Sequence, residues 1–245
     1  KATTSLLRAR LFLVMQHPTR DNLIEELFSP VTVRAYTSSV EPSLIDTLRA
    51  EEVGAITSMT VARQAEFGTA RACARAGLAD LGIDAAIPKR SDGSPAWPNG
   101  IAGSISHSRG FCLAVTSSQG YMIGVDVEEI GRMSSGVERR ILVDTEREDL
   151  AGLDEAGRQL HGATIFAAKE AFYKAHYELD ARYLGFDVIA VRVGEMSLSF
   201  EVSSGAVGSE VIGRIVGRAL VQDGRVIVGV SIGPAGSATG LPSRP

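Results

Sequence analysis

Cysteine is almost absent from this chain: 245 residues include only Cys73 and Cys112. Two thiols supply neither a disulfide framework nor a four-ligand zinc site, so a reducing, cytoplasmic setting is expected. Histidines number only four, and there is a single tryptophan, Trp97, so imidazole-rich metal centres have little to draw on. No run of 18 apolar residues occurs, which argues against a membrane-spanning helix and against a membrane partner. The apolar patch 11–15, preceded by Arg8 and Arg10, is too short for a signal-peptide core, and no small-residue cleavage site follows it. Positive charge is not in excess either. A net charge of −4 speaks against a nucleic-acid partner, although local arginines and lysines can still hold a small phosphate ligand. What is present is globular: 44% hydrophobic and 22% charged residues, long enough for one large or two small domains with a real core. No internal repeat is visible in the letters.

Local signals place a short helix or loop over 23–28, a strand over 31–36, a helix from Pro42–Ser43 to about Ile56, and another from about Thr60 to Leu81, closed by Gly82. The last helix carries Arg63, Arg71 and Arg75; the final two are i,i+4 neighbours, as a solvated helix face could also be. Residues 88–103 are turn-rich but contain Trp97, so an ordered connection is expected rather than a linker. A strand over 101–107 brings Ser104, Ser106 and His107 to its end, candidates for phosphate contacts. The segments 111–117 and 121–128 read as a hairpin around Ser118-Gln119-Gly120. Thr145 is expected to cap a short acidic helix, and Gly157 to precede a long central one. β segments follow at 188–193, 198–202, 211–221 and 226–232, the last two joined by Asp223-Gly224. Residues 234–245 are Gly/Ser/Pro-rich and read as a flexible tail.

Two stretches carry chemistry. In Phe166–Lys174, helical geometry gathers Ile165, Ala168, Phe172, Ala175 and Leu179 on one face. Glu170 points the other way, among Phe166, Tyr173 and Tyr177, with Lys174 one turn on. A carboxylate crowded by aromatics needs a lysine, a metal or a role in proton transfer; an ordinary surface Glu–Lys pair is the alternative. In Ile123–Glu128, strand alternation sends Ile123, Val125 and Val127 one way and Gly124, Asp126 and Glu128 the other. Two acids on one strand face repel each other unless a cation lies between them, and Gly124 leaves room for something to approach. Asp126, Glu128 and Glu170 together would form a hard-oxygen site suited to Mg²⁺. An edge strand with its acids in solvent would show the same letters.

These motifs, taken in order, resemble the 4′-phosphopantetheinyl transferases of the larger surfactin- and enterobactin-synthetase type, actinobacterial in character. The resemblance rests on Trp97-Pro98 with Gly-Ser-Ile-Ser-His, then Gly-Val-Asp-Val-Glu, then Phe-Ala-Ala-Lys-Glu-Ala-Phe-Tyr-Lys, and it covers roughly residues 25–233. Arg63-Gln-Ala-Glu-Phe and Arg71 resemble that family's N-terminal arginine motif. The resemblance implies an α+β fold of two similar α/β halves forming an intramolecular pseudo-dimer, with coenzyme A in the cleft between them. The expected domains are an N-terminal extension (1–22), a nucleotide-phosphate half (23–120), a Mg²⁺ and catalytic half (121–233) and the tail.

The activity implied is Mg²⁺-dependent transfer of the phosphopantetheine arm from coenzyme A to a serine of acyl, peptidyl or aryl carrier proteins, releasing adenosine 3′,5′-bisphosphate. Mn²⁺ could substitute. Carriers of fatty-acid, polyketide, nonribosomal-peptide and siderophore synthesis are the partners implied, with a monomeric enzyme. Carried over residue by residue, Asp126, Glu128 and Glu170 match the metal acids, and Glu170 and Lys174 the catalytic pair. Arg63, Arg71, Lys89, Ser106, His107, Asp126, Lys169 and Lys174 match the coenzyme A side. Residues 1–22 have no counterpart, and the loop after Glu128 is too variable to map. Two rival classes remain: a Mg²⁺-dependent pyrophosphate hydrolase acting on coenzyme A or another nucleotide, and a non-catalytic carrier-binding module.

Overall fold

A computed structural model describes residues 18–194, 197–202 and 207–236. The expectations for 1–17 and for 237–245 fall outside the described residues. Chain order begins with β1 (Thr19–Arg20), α1 (Asn22–Glu26) and β2 (Arg34–Ser39). Short helical pieces follow, including α2 (Ala50–Val53), and then α3 (Val61–Asp80). β3 (Ala102–Ser108), β4 (Phe111–Ser117) and β5 (Met122–Glu129) come next. They lead into α4 (Ser135–Ile141), α5 (Asp144–Ala151) and the long α6 (Glu155–Asp180). The chain closes with β6 (Ile189–Val193), β7 (Leu198–Val202), α7 (Ser209–Ile212), β8 (Ile215–Gln222) and β9 (Arg225–Ile232).

Two antiparallel sheets result, ordered β1-β2-β4-β3 and β5-β9-β8-β7-β6. α3 covers one face of the first sheet through Ala70, Cys73, Ala74 and Leu78, which meet Cys112, Ala114 and Trp97. The sheet's other face, with Ala35, Leu113 and Val115, packs on Ile123, Val125, Val127 and Ile227 of the second sheet. α6 then covers the second sheet's far face with Ala168, Phe172 and Ala175 against Val226, Val228 and Val230. The layers therefore run helix, sheet, sheet, helix.

The hairpin read over 111–128 is not formed. β4 pairs with β2 and β3, whereas β5 pairs with β9. The true hairpin joins β3 to β4 through Arg109-Gly110, both with positive φ (27° and 73°), the geometry of a tight two-residue turn. Ser118-Gln119-Gly120 instead carries the chain between sheets, and Gln119 Oε1 accepts from Thr32 N at 2.8 Å. Asp223-Gly224 does form its turn (φ 51° and 72°) between β8 and β9.

Other boundaries shift for local reasons. The helix expected over 42–56 breaks into a 3-10 turn (Pro42–Thr47), α2 and a second 3-10 turn (Gly54–Ile56), with Leu48 and Arg49 extended between them. Thr145 lies inside α5, whose N-terminal backbone is met by Glu146; Asp154 caps α6 by accepting from Gly157 N. Part of 211–221 is helical, as α7. Thr19–Arg20, at the end of the expected extension, pairs with β2. Leu179 is 40% exposed rather than on the packed face.

A repeat hidden in the letters shows in two buried acids. Glu52 Oε2 accepts from Arg49 N (3.0 Å) and Arg75 Nη1 (2.5 Å), and its Oε1 from Ile87 N (2.8 Å). Glu146 Oε2 accepts from Val143 N (2.8 Å) and Lys169 Nζ (2.8 Å), and its Oε1 from Val191 N (2.7 Å). In both halves the cation follows the acid by 23 residues and comes from the long helix.

Candidate active site

The site lies where the edge strands of the two sheets, β3 and β5, run together. Edge strands leave backbone groups unpaired. Here two serines of β3 meet those of β5: Ser104 Oγ accepts from Val125 N (3.0 Å) and Ser106 Oγ from Val127 N (3.3 Å). Alternation along β3 puts Ser104 and Ser106 toward the second sheet and Ile105 and His107 toward α3. Ser106 and His107, expected together on the ligand, are therefore separated. Ser106 is buried, and its hydroxyl donates to Asp126 Oδ1 at 2.7 Å, so it positions Asp126 instead of facing a nucleotide.

Gly124 admits α6. A Cβ at this position would lie 1.8 Å from the carbonyl oxygen of Ala171, so what approaches the glycine is the helix backbone. This close approach brings Lys174 onto β5. Its Nζ donates to Asp126 Oδ1 at 2.6 Å and to Val125 O at 3.1 Å. The expected Glu170–Lys174 pair is thereby replaced by Lys174–Asp126, because the strand carboxylate offers a buried partner.

The three acids carry unbalanced negative charge. Asp126 Oδ2 is buried without a hydrogen-bond partner. Burial, then the neighbouring Asp126, pushes Glu128 up to about 7. Burial also raises Glu170, with Asp126 adding to the shift and Lys174 opposing it. Among the described residues no three acidic, histidine or cysteine side chains converge closely enough to hold a metal unaided. Mg²⁺ needs only one or two carboxylates, completing its shell with water and phosphate oxygens. The orphaned Asp126 oxygen and the raised neighbouring acids fit such a cation.

Lys169 is a correction. Its ammonium is fully buried, donating to Ile141 O (2.8 Å), Glu146 Oε2 (2.8 Å) and Phe186 O (2.7 Å). All three donors are engaged inside the second half, so it cannot reach a coenzyme phosphate. Arg75 is likewise structural, held by Glu52 and Thr47.

Two cavities flank the seam. A cationic one of about 200 Å³ is lined by Arg63, Arg71, Lys89 and His107, together with Glu66 and Phe67. Arg71 is buried, its Nε donating to Ile87 O at 2.7 Å and its guanidinium 4.2 Å from the Phe67 ring centre. Burial lowers it to about 10, so it remains charged at neutral pH. His107 is lowered by burial and by Arg63, which touches its Nε2. Arg63 is also paired with Glu66 at 2.9 Å, and Lys89 lies exposed at the rim. The second cavity, about 280 Å³, runs along α6 past Tyr173, Lys174 and Tyr177 and is mainly apolar. Pro95 and Ile105 belong to the walls of both. Sequence reasoning missed the contacts that span this cleft: Tyr177 to Asp92 and Arg90 to Glu178. The Asp92-Gly93 turn was legible, but nothing local pointed to its partner on α6.

The fold has two halves with acids and a lysine at their seam, and comparison with known proteins supplies the class. Residues 51–117 match the family described as the 4′-phosphopantetheinyl transferase N-terminal domain, and residues 122–203 match the 4′-phosphopantetheinyl transferase superfamily. The chain is 32% identical over 218 residues to the 4′-phosphopantetheinyl transferase Svp of Streptomyces mobaraensis, covering 85% of this chain and 88% of that protein. It is 36% identical over 183 residues to PptT of Mycobacterium tuberculosis (73% and 74%) and 38% over 151 residues to Npt of Nocardia iowensis (60% and 64%). The chain belongs to the 4′-phosphopantetheinyl transferase superfamily. It is a transferase that moves the phosphopantetheine arm of coenzyme A to a carrier protein.

Proposed function

We propose that the transfer depends on Mg²⁺ and takes place at the β3–β5 seam, with Asp126 and Glu128 as the metal acids and Glu170 beside them as the base. The observation that carries this reading is the buried, unpartnered Oδ2 of Asp126, whose other oxygen is paired with Lys174 at the wall of the apolar cavity. The 3′-phosphate of coenzyme A sits with Arg71, Lys89 and His107, Arg63 contributing from its pair with Glu66. The pyrophosphate lies near Lys174, and the pantetheine arm follows the apolar cavity along α6. A bound Mg²⁺ would offset charge on the pyrophosphate oxygens.

Glu170, raised by burial, takes the proton of the carrier serine, directly or through water. The serine Oγ then forms a bond to the phosphorus bearing the pantetheine arm. The phosphorus–oxygen bond to adenosine 3′,5′-bisphosphate breaks, and Lys174 holds the charge left on that oxygen. Ser106 keeps Asp126 in place throughout. The two thiols, both free and buried, suit the cytoplasm, where the enzyme acts as a monomer.

The test is the intact mass of a carrier protein incubated with the enzyme, coenzyme A and Mg²⁺. One added phosphopantetheine per carrier, sustained by Mg²⁺ or Mn²⁺ and abolished by chelator, is expected. Cleavage of coenzyme A with no carrier present would point to a hydrolase, binding without turnover to a docking module. Full activity in chelator would remove the metal from the reading.

A further inference from the structure

A third cavity lies in the second half and shares no wall residue with the two that flank the seam. Its volume is about 290 Å³, as large as the apolar cavity along α6. The floor is apolar: Leu150 of α5, Leu153 just after it, Ile165 of α6 and Val191 of β6. The ring of His161 forms part of the wall and has no hydrogen-bond partner among the described residues. Its Nδ1 is buried, which leaves Nε2 as the nitrogen a ligand can reach. Another wall is β6, the edge strand of the second sheet. Three consecutive residues of β6 line the cavity, which places it along the strand's edge rather than on one face. Val191 N donates to Glu146 Oε1 at 2.7 Å, so it is turned away from β7. In an antiparallel pair such a residue presents both its backbone groups outward, and every second residue does the same. Val191 C=O and Val193 N–H therefore face the free edge. At the exposed rim, Arg192 is shared by Asp149 (2.9 Å) and Glu201 (3.1 Å).

We propose that this cavity is a binding site for a small uncharged molecule with an apolar body and an amide group, separate from the coenzyme A site. The volume is at the low end for small-molecule sites, which suits a single ring over the apolar floor. An amide complements the strand edge as another strand would. Its carbonyl accepts from Val193 N–H, and its N–H donates to Val191 C=O. It also pairs with Nε2 of His161 in either tautomer, because it carries both a donor and an acceptor. A carboxylate fits worse. It would meet the Val191 carbonyl with no proton to give, beside two carboxylates that already share one guanidinium. The position ties the ligand to the framework of the second half. Glu146 lies one turn before Leu150 on α5, Lys169 one turn after Ile165 on α6, and Val191 bonds to Glu146. An occupant thus touches all three elements joined by the Glu146–Lys169 pair, and it stabilises the folded state.

Benzamide is the probe, with benzoate, of the same shape, as the charged control. Binding is measured by saturation-transfer NMR, with and without saturating coenzyme A, for wild type, His161→Phe and Val193→Trp. Wild type should bind benzamide with a Kd of about 0.1–1 mM, the range of a fragment-sized ligand, unchanged by coenzyme A. Its Tm should rise by about 3–6 °C at ten times that Kd. Benzoate should bind at least about fivefold more weakly. His161→Phe keeps a ring in the wall and should weaken benzamide about three- to tenfold, as expected for one neutral hydrogen bond. Val193→Trp fills the cavity from the strand and should weaken it at least about tenfold. Both side chains are only part-buried, so the variants should keep the wild-type circular dichroism, and if one unfolds the other decides. No saturable binding by wild type up to about 10 mM overturns the site. So does equal binding of benzoate, or unchanged affinity in every folded variant. Displacement of benzamide by coenzyme A would put it in the cleft and overturn the site as well, while leaving the transferase reading intact.

Discussion

Arg71 offers the sharpest quantitative test of how the nucleotide end is held. It is buried, and two contacts fix its plane: Nε donates to Ile87 O at 2.7 Å, and the guanidinium stacks 4.2 Å from the Phe67 ring centre. The remaining nitrogens are left toward the cationic cavity, which Arg71 lines. A charge-assisted hydrogen bond contributes about 1.5–3 kcal/mol. Losing one through Arg71→Ala should therefore weaken coenzyme A binding roughly 10- to 150-fold. The variant also strands the Ile87 carbonyl, costing about 1–3 kcal/mol of stability, so binding must be read well below Tm. Trp97 is a convenient reporter: it is the one tryptophan, and its ring rests against Gly103, which lines the apolar cavity. The decisive form is a cycle of wild type and Arg71→Ala, each titrated with coenzyme A and dephospho-coenzyme A. The loss should be large for coenzyme A and small for the dephospho ligand. Arg71→Lys should fall between, keeping the charge without the planar fork. Equal losses for both ligands would refute the phosphate contact and leave Arg71 a structural residue.

Glu170→Gln should lower carrier modification by at least about 100-fold while coenzyme A still binds, and near-normal turnover would reject its role as base. Lys169→Met leaves Glu146 buried and unpaired and should cost about 3–5 kcal/mol in urea unfolding; adding Glu146→Gln should recover part of it, and no loss would restore Lys169 to the ligand side. In the metal-free protein Glu128 titrates near 7 when folded, above its ordinary range, so the native state binds the extra proton. Its contribution is full below about pH 4.5 and is lost as pH rises through about 7, a fall of about 1–3 kcal/mol that Glu128→Gln should remove from unfolding curves. Gly124→Ala should force α6 off β5 by over about 1 Å and cut kcat about 100-fold even where the variant stays folded by circular dichroism. Wild-type rates would show that the helix need not sit so close.

Residues whose placement is set by their own strand or helix were legible. Alternation placed Asp126 and Glu128 on one face of β5, and the aromatic neighbours of Glu170 marked it as more than a surface acid. Pairings between distant segments were not. Lys169 and Lys174 stand in the same motif and look equivalent as letters, yet the first turns into the second half's core and the second onto β5. The helix direction of each depends on where α6 lies, and Gly124 decides that from 47 residues away by letting Ala171 O come close. Ser106 and His107 were grouped by adjacency, although a two-residue period sends neighbours to opposite faces. The hairpin over 111–128 failed because turn residues at 118–120 say that the chain turns, not which sheet receives it.

The two buried acids explain how one seam can serve both structure and chemistry. Glu52 and Glu146 do the same work in their halves, each satisfying a backbone N–H at the start of its own helix and another from a later segment, and each taking a cation from the long helix. That device neutralises charge inside each half, where desolvated ions without partners are costly. At the seam the balance is left open: one lysine meets Asp126, while Glu128 and Glu170 have no cation of their own among the described residues. The difference is one of pairing: each internal acid is matched by its own cation, whereas at the seam a single lysine, which lines the apolar cavity, faces three acids. Charge left uncompensated beside a cavity is charge available to a ligand. The halves thus share a scaffold while only the junction retains the electrostatic demand that a metal and a pyrophosphate can meet.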